Sequence, residues 1–552
     1  MPRPMPAVIT LALLVALLAL PGPLPAARAE GAGKPSPAAG EWKRDWLVPG
    51  GPFRGIHGLA VGADGLVYVG SVMGQATYRV DPKDGRTELF IGAPEGMADD
   101  LEFAADGTLY FTGFMHGTLS ARTPDGAIHV LASGLPGTNS LALDGRGRLF
   151  ATQVFSGDAL YEIDRSGKAK PRLIQRDLGG LNGFDFGPDG RLCGPLWFRK
   201  QVVCLDVDRN RMEVVADGFE IPAAANFDPK GELHAIDNVT GEIFRIDRAH
   251  HRKTRIATAP TGLDNLTFAP DGRLFVTNMP DNALYEIDRK TGAVRTVVGS
   301  PLTLPGGIAR AENTLYVADT FAFSAVDLGT GAVRDVSRDG DVSEAPSIVA
   351  ASAIHLATAS LHRQSVLLWD RATERPIARW SELGQPSAIA LAPGPGPRIA
   401  VATADGRLLE LDPAKPEERR ELARDLALPM GIARTARGWL VAEAKAGRLI
   451  ELADDGSRRV VASDLGHPEG IAILEDGRIA VAETAGDRVT LVDSETGRKQ
   501  TIATGLPLAT LDLPGMPPGI FPTGLAAGED GALLLSSDVE GGVLRLRKGD
   551  EP

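Results

Sequence analysis

The chain repeats one short pattern about twelve times, and this repetition constrains the fold more than any other feature. Clear copies are HGLAVGADGLVYVGS from His57, DDLEFAADGTLYFTG from Asp99 and NSLALDGRGRLFATQ from Asn139. NGFDFGPDGRLCGPL from Asn182 and DNLTFAPDGRLFVTN from Asp264 continue the series. Successive copies recur about every 40 residues, which is the spacing of stacked or ring-shaped repeat proteins.

Each repeat has the sequence of four short β-strands. An apolar strand leads into an Asp-Gly or Pro-Asp-Gly turn, which favours a hairpin with the second strand. A third strand ends in Asp, as in LYEIDR from Leu284, and a charged, alternating fourth strand follows, as in RTELFIG from Arg86. Leucine-rich repeats are shorter and helical repeats show 3.6-residue spacing, so the pattern predicts an all-β fold of four-stranded β-propeller blades.

Twelve blades exceed the usual four to eight of one ring, so the sequence predicts two consecutive six-bladed propellers. We place the first in residues 42–300 and the second in residues 301–552; a division into seven and five blades stays open. The last repeat ends at Leu544–Arg547 without a fourth strand, whereas Trp42–Pro49 precedes the first repeat. We therefore expect the N-terminal strand to complete the last blade and cover its open edge.

The first residues have the features of a secretory signal peptide. Arg3 precedes an apolar run from Ala7 to Leu20, and Ala27-Arg28-Ala29 supplies a small-x-small cleavage site. The run is shorter than the roughly 20 apolar residues that span a bilayer. We predict a signal peptide over residues 1–29 with cleavage after Ala29, a linker over 30–41, and a periplasmic or secreted protein without a membrane span.

Charge and cysteine content exclude several other classes. The net charge of -13 argues against nucleic acid as a partner, because phosphate binding needs a basic surface. With only 2 cysteines, the chain is neither a disulfide-scaffolded module nor a Cys-rich zinc protein. Cys193 and Cys204 lie on two short runs that could pair as a hairpin, so a disulfide and two free thiols both stay open.

Candidate functional residues come from aligning all repeats on the Asp-Gly turn. The first residue of each inner strand should lie at one rim of the central channel. In the first ring these positions are His57, Asp99, Asn139, Asn182, Ala223 and Asp264. In the second ring they are Gly306, Ser347, Ser387, Met430, Glu469 and Thr523.

The first ring therefore gathers two carboxylates, two carboxamides and one imidazole. Asp99, Asn139, Asn182 and Asp264 offer the hard oxygen ligands that Ca²⁺ prefers, and two facing carboxylates would repel without a cation. His57 could act as a general base near neutral pH. Alternatively, Asp and Asn at strand starts bond neighbouring backbone, and Asp100 replaces Asp99 as the ligand if the register slips by one.

These motifs resemble the six-bladed calcium-dependent propeller superfamily of senescence-marker-protein/gluconolactonases, paraoxonases and diisopropyl-fluorophosphatase. GLDNLTFAPDGRLFVTN is similar to their Asp strand, LNGFDFGPDGRL to their Asn-Gly strand and ADDLEFAADGTLYFTG to the paraoxonase acidic strand. The resemblance implies one Ca²⁺ held from inner-strand starts and hydrolysis of lactones, esters or phosphotriesters. The second ring resembles generic NHL-type repeats, and GIHGLAVGADGLVYVG is similar to the virginiamycin B lyase family.

The sequence thus leads to one principal hypothesis and two alternatives. The principal hypothesis is an exported, monomeric, calcium-dependent hydrolase of a small lactone or ester, with the metal in the first ring and His57 as the catalytic residue. The first alternative is a non-enzymatic propeller that binds a protein or glycan, with the second ring offering rigid loop-built faces. The second alternative is a metal-assisted C–O lyase.

Overall fold

The computed structural model describes residues 42–338, 344–392, 396–508 and 521–549. These residues form twelve antiparallel four-stranded sheets, each ordered from an inner to an outer strand. Short 3₁₀ turns cover Trp197–Arg199, Thr484–Gly486 and Glu529–Gly531. Among the described residues, no helix is long and apolar enough to cross a bilayer.

Ring one is the name used here for the first six blades, whose strands run in chain order without a crossover. The strands are β2 Ile56–Val61, β3 Val67–Ser71, β4 Ala76–Val80, β5 Thr87–Ile91; β6 Leu101–Phe103, β7 Leu109–Gly113, β8 Thr118–Arg122, β9 Ile128–Ala132; β10 Thr138–Leu143, β11 Leu149–Gln153, β12 Ala159–Ile163, β13 Arg172–Arg176; β14 Asp185–Phe186, β15 Leu192–Leu196, β16 Gln201–Asp206, β17 Arg211–Ala216; β18 Pro222–Phe227, β19 Leu233–Asp237, β20 Glu242–Asp247, β21 Arg252–Thr258; and β22 Leu263–Phe268, β23 Leu274–Asn278, β24 Ala283–Ile287, β25 Val294–Val298.

Ring two is the name used for the remaining six blades, the last of which takes its outer strand from the N-terminus. The strands are β26 Pro305–Ala311, β27 Thr314–Asp319, β28 Ala322–Asp327, β29 Val333–Arg338; β30 Ile348–Ala351, β31 His355–Ser360, β32 Ser365–Asp370, β33 Arg375–Trp380; β34 Pro386–Leu391, β35 Ile399–Thr403, β36 Leu408–Leu411, β37 Arg420–Ala423; β38 Pro429–Arg434, β39 Gly438–Glu443, β40 Arg448–Ala453, β41 Arg458–Ala462; β42 Pro468–Ile473, β43 Ile479–Glu483, β44 Arg488–Val492, β45 Lys499–Thr504; and β46 Leu525–Ala527, β47 Leu533–Ser537, β48 Gly542–Lys548, β1 Trp42–Val48.

Each ring closes on itself after six blades. Inner strand β22 of the sixth blade packs against β2 of the first, and β46 of the last blade packs against β26. The prediction of two six-bladed propellers is therefore confirmed, and the division into seven and five blades is excluded.

The N-terminal strand completes the last blade, as predicted. Strand β1 pairs antiparallel with β48, with Trp42 opposite Lys548 and Val48 opposite Val543. Asp45 forms ion pairs with Arg545 and Arg547 across this ladder. The first and last described strands thus lie in one sheet, and the edge of β48 is covered.

Apolar residues fill the space between neighbouring blades. Ile56 and Val69 of the first blade pack with Phe275 and Leu284 of the sixth, all of them fully buried. The side chains of the second strand in each blade point alternately toward the two neighbouring blades, so nearly all of them are buried. This packing fixes the inner strands around each channel.

The two rings contact each other through the loops at the ends where their inner strands begin. Met73, Met97 and Met279 of ring one form a buried cluster with Phe321 and Phe521 of ring two. Polar contacts add to this apolar contact: the Arg54 Nε donates to the Val539 carbonyl at 2.7 Å, and Asp281 pairs with Arg338. Ring two therefore lies over part of the channel mouth of ring one.

The structure decides whether the two cysteines are paired, but it does not describe the predicted signal peptide. Cys193 and Cys204 face each other on β15 and β16 and form a disulfide, so the alternative of two free thiols is excluded. The predicted signal peptide (1–29) and linker (30–41) lie outside the described residues.

The closing strand offers a test of the architecture. Deleting residues 42–48 uncovers the edge of β48 and removes buried Leu47 and Val48. We expect a loss of roughly 4 kcal/mol from the free energy of unfolding, at about 2 kcal/mol for each apolar side chain. Urea unfolding measures this loss, and light scattering measures the aggregation that an open edge promotes.

Asp45→Ala is the control for this deletion, because it removes only the partly exposed ion pairs and should cost at most about 1 kcal/mol. Equal stability of the deletion variant and the full chain would contradict the role of β1.

Candidate functional site

The five predicted residues lie at the same end of ring one, where the inner strands begin; this end is called the mouth. His57, Asn139 and Asp264 lie within irregularities of their strands: pairing skips from Ile56 to Leu59, from Thr138 to Leu141 and from Leu263 to Leu266. Such bulges re-aim side chains near functional sites. Asp99 and Asn182 occupy equivalent positions just before β6 and β14, where their N–H groups bond to Thr112 and Pro195.

The carboxylates of buried Asp99 and half-buried Asp264 lie near each other at the mouth. Burial raises the pKa of Asp99 well above its ordinary value, and the nearby charges of Asp264 and Asp100 raise it further. Burial also raises the pKa of Asp264, and the charge of His57 opposes this effect. No hydrogen bond from the described part of the chain reaches either carboxylate. Two neighbouring acids with little access to water and no donors are unfavourable unless a proton or a cation lies with them.

The two carboxamides converge on one hydroxyl group. The Ser140 Oγ lies 2.8 Å from the Asn139 Oδ1 and 3.0 Å from the Asn182 Oδ1, and it accepts the Gly183 N–H at 2.7 Å. A hydroxyl group donates only one proton, so it can satisfy only one of the two amide oxygens. The other oxygen keeps its lone pairs for another partner.

His57 has a defined orientation. Its Nδ1 lies 3.0 Å from the Gly55 carbonyl, which can only accept, so this nitrogen carries the proton and Nε2 is the basic position. The side chain is 4% exposed. An imidazole held in this orientation, beside the carboxyl group of Asp264, can take a proton from a bound water at Nε2.

A second acidic layer lies below the mouth. The Asp100 Oδ2 accepts the Leu141 N–H at 3.1 Å and its Oδ1 accepts from the Asn265 amide at 3.2 Å. Burial nevertheless raises the pKa of Asp100 to about 7. Glu102 and Asp185 accept the N–H groups of Leu143 and Phe227 in the same way. These side chains satisfy the free edge of the next inner strand and line a cavity of about 180 Å³.

The hydrogen bonds of this layer help to decide whether Asp99 or Asp100 is the candidate ligand on the acidic strand. Asp100 is engaged with backbone and amide groups, whereas Asp99 has no donor among the described residues. Gly58 makes the arrangement possible, since a Cβ there would lie 2.5 Å from both the Asp100 Cα and the Asp99 carbonyl oxygen. Asp99 is therefore the acid available at the mouth, and Asp100 joins the blades.

Ring two has a different channel. Its inner strands line a cavity of about 400 Å³ with Gly, Ala, Ile, Val and Leu residues along most of its length. Glu469 is fully buried and satisfied, because its carboxylate accepts the Thr523 N–H at 2.7 Å and the Thr484 hydroxyl at 3.0 Å. The polar groups thus concentrate in ring one.

A second group of acidic and histidine side chains lies outside the mouth. Among the described residues, the one triple of acidic and histidine side chains whose ligand atoms all lie within 4.8 Å is Asp228, Glu232 and His234. The Asp228 carboxylate already pairs with Arg289 at 2.7 Å and accepts the turn N–H groups of Lys230 and Glu232. We therefore interpret this triple as part of a turn and not as a metal site. The acidic and histidine side chains at the mouth do not form such a triple, so a cation there would depend on the amide oxygens as well as on the two acids.

Sequence reasoning found the mouth residues but missed two that shape it. Ser140 joins the two carboxamides and Gly58 lets two blades approach closely; both directly follow a predicted residue in their repeats. A search for small residues at that second position would have found them. The assignment of Asp99, Asn139, Asn182 and Asp264 as metal ligands and of His57 as a base stays a prediction.

Comparison with known proteins supports the resemblance to the propeller superfamily that includes gluconolactonases. No protein-family model matches the chain. A curated gluconolactonase from Zymomonas mobilis is 26% identical over 172 residues, covering 26% of this chain and 48% of the relative. The chain therefore matches about half the length of that relative.

Two solved structures are also similar to this chain. Virginiamycin B lyase from Staphylococcus aureus is 16% identical and covers 50% of this chain and 96% of its own, with a TM-score of 0.37. A structure described as a putative gluconolactonase is 17% identical and covers 48% of this chain and 94% of its own, with a TM-score of 0.38.

The raised carboxyl pKa values predict a specific pH dependence in calcium-free buffer. Native Asp99 and Asp100 hold protons that the unfolded chain releases near pH 4, so the free energy of unfolding should fall as pH rises from 4 to about 7. Asp99→Asn should flatten this slope and raise stability at pH 7 by on the order of 1 kcal/mol. Urea unfolding at several pH values, with chelator present, measures both effects.

Asp164→Asn provides a control with the opposite sign. The Ser166 hydroxyl and backbone N–H groups lower the pKa of Asp164 to about 2, so this change should lower stability at neutral pH. A slope that Asp99→Asn leaves unchanged would show that the mouth acids do not cause it.

Proposed function

We propose that ring one is a calcium-dependent hydrolase of a lactone or ester. The observation that carries the proposal is the pair of neighbouring carboxylates of buried Asp99 and half-buried Asp264, which have no hydrogen-bond donors among the described residues. The Asp264 carboxylate also interacts with the imidazole of His57. The similarity to a gluconolactonase over about half that relative's length supports the substrate class.

The donor set at the mouth suits Ca²⁺. Two carboxylates and two carboxamides supply only oxygen atoms, which hard divalent cations prefer. A cation would remove the repulsion between Asp99 and Asp264, and it would also occupy the amide oxygen that Ser140 cannot satisfy. We therefore infer that Asp99, Asn139, Asn182 and Asp264 hold the ion.

The residues at the mouth divide the chemistry between them. Bound Ca²⁺ would polarise the carbonyl group of a lactone or ester. His57 would accept the proton of the attacking water at Nε2 while its Nδ1–H stays bonded to Gly55. The negative charge of Asp264 would stabilise the resulting imidazolium, since the two groups already interact. Transfer of that proton to the leaving alkoxide restores neutral His57.

Export to the periplasm or medium forms part of the proposal. The Cys193–Cys204 disulfide supports it, because disulfides persist mainly in oxidising compartments. The predicted signal peptide, cleaved after Ala29, would supply the route. In this compartment a calcium site of modest affinity can remain filled.

Metal content tests the proposal first. Purified protein should hold about one Ca²⁺, and chelation should abolish hydrolysis of small lactones and aryl esters, with recovery on adding Ca²⁺. Asp264→Ala should lose both the ion and the activity. Elemental analysis and a pH-stat assay measure them.

Glu469→Gln is the matched control for Asp264→Ala, because Glu469 occupies the same repeat position in ring two and should leave ion and turnover unchanged. Protein that binds no Ca²⁺ and hydrolyses none of these substrates would instead favour the non-enzymatic alternative.

His57 separates catalysis from metal binding. His57→Gln should retain Ca²⁺ but lower kcat by about 100- to 10,000-fold, the range of a lost general base. His234→Gln is the control, because His234 is also a buried histidine but lies outside the mouth. Once its folding is verified, this variant should have a kcat near the wild-type value. A wild-type kcat in a folded His57→Gln protein would show that His57 is not the general base.

A further inference from the structure

The channel of ring two contains a cavity whose charged lining residues are all basic. The cavity has a volume of about 400 Å³, and the described residues that line it include Arg310 and Arg434 but no aspartate or glutamate. The two arginines lie near the ends of the inner strands of the first and fourth blades, which are opposite each other in a ring of six. Both therefore lie at the face of ring two that points away from ring one.

Ring one fills the equivalent layer of its own channel with carboxylates. The Glu102 Oε2 accepts the Leu143 N–H at 2.8 Å, and the Asp185 Oδ2 accepts the Phe227 N–H at 3.0 Å. Counted from the mouth residue of each repeat, the acid is at the fourth position and the N–H belongs to the fifth position of the next blade. A carboxylate at the fourth position thus satisfies a backbone donor of the neighbouring blade.

Ring two has no carboxylate at this position. The fourth residue of the repeat is alanine in all six blades, and all six alanines line the cavity. These residues are Ala309, Ala350, Ala390, Ala433, Ala472 and Ala526. The side chains that accept backbone N–H groups in ring one are therefore replaced by methyl groups in ring two.

The N–H groups at the fifth position of ring two have no acceptor among the described residues. Along an antiparallel strand, N–H groups alternate between the partner strand and the opposite edge. The sixth residue donates to the second strand, as Ala392 does to Arg398, so the N–H of the fifth residue, here Leu391, points toward the channel. Neither Leu391 nor its five equivalents donate to a described side chain or backbone carbonyl. Backbone donors in such a channel gain free energy from an acceptor that a ligand brings.

The two arginines add charged donors to these N–H groups. Arg310 pairs with Glu529 at 2.9 Å and Arg434 with Asp454 at 2.6 Å. The side chains of these acids are 63% and 61% exposed, and neither acid lines the cavity. Because exposed ion pairs are weak, an anion inside the cavity can draw guanidinium donors from both pairs.

We propose that the channel of ring two binds a small molecule with two or three carboxylate groups. Its oxygens would accept the N–H groups at the fifth position and hydrogen bonds from Arg310 and Arg434, and its short carbon skeleton would contact the alanine layer. The ligand would thus supply the carboxylates that Glu102 and Asp185 supply in ring one. This site is separate from the mouth of ring one and does not depend on the hydrolysis proposed there.

Calorimetric titration of calcium-free protein with tricarballylate (propane-1,2,3-tricarboxylate) tests the inference. The wild type should bind one molecule per chain, at least tenfold more tightly than it binds sulfate, because an anion with a single charged centre reaches fewer of the donors. Arg434→Gln should weaken tricarballylate binding at least tenfold, since it removes a charged donor. Arg437→Gln is the matched control: Arg437 is exposed near the same turn but does not line the cavity, so its loss should leave the affinity unchanged.

Ala433→Glu tests where in the channel the ligand lies. Its carboxylate would accept the Ile473 N–H as Glu102 accepts that of Leu143, so tricarballylate binding should fall at least tenfold. Ala433→Ser, which is small and uncharged, should bind about as tightly as the wild type. Circular dichroism verifies that both variants are folded.

Asp264→Ala separates this inference from the proposed function. It removes a proposed calcium ligand in ring one and should bind tricarballylate as the wild type does, whether or not ring one holds an ion. No binding by the wild type, equal affinity for sulfate, or an unchanged affinity in Arg434→Gln would overturn the inference.

Discussion

Each ring is closed by packing between its first and sixth blades, and this closure holds all six inner strands around one channel. Ile56 and Val69 meet Phe275 and Leu284 at this junction in ring one, and the contact turns a linear array of hairpins into a closed channel. Closure brings residues more than 150 positions apart to one place: Asn265 of the sixth blade donates to Asp100 of the second. No local feature of the chain could assemble such a site.

The two rings share one architecture and use it differently. In ring one, acidic side chains satisfy the free edges of inner strands, and the mouth adds two acids that have no donor among the described residues. In ring two, small and apolar residues line the channel, and Glu469 is bonded on both oxygens. Ring two contributes to the other ring instead: Phe321 and Phe521 cover part of its mouth.

How far the sequence could predict this structure depends on whether a feature repeats. The Asp-Gly turns and the alternating outer strands recur in most blades, so the number of blades, the closing strand β1 and the mouth positions of His57, Asn139 and Asp264 could be predicted. The sequence left undecided whether the two cysteines form a disulfide, because their pairing depends on strand register. The role of Asp100 and the contacts of Ser140 depend on distances between different blades, which spacing along the chain does not contain. The contact between the rings was also beyond reach, since it is made by loops without a shared pattern.

We propose above that oxygen atoms from four blades bind one cation at the mouth of ring one. A crystal structure of the protein grown with Ca²⁺, with anomalous scattering used to locate the ion, tests it directly. We expect one strong peak within about 2.3–2.6 Å of oxygens from Asp99, Asn139, Asn182 and Asp264. A mouth that holds only water, or an ion bound instead by Asp228, Glu232 and His234, would contradict it.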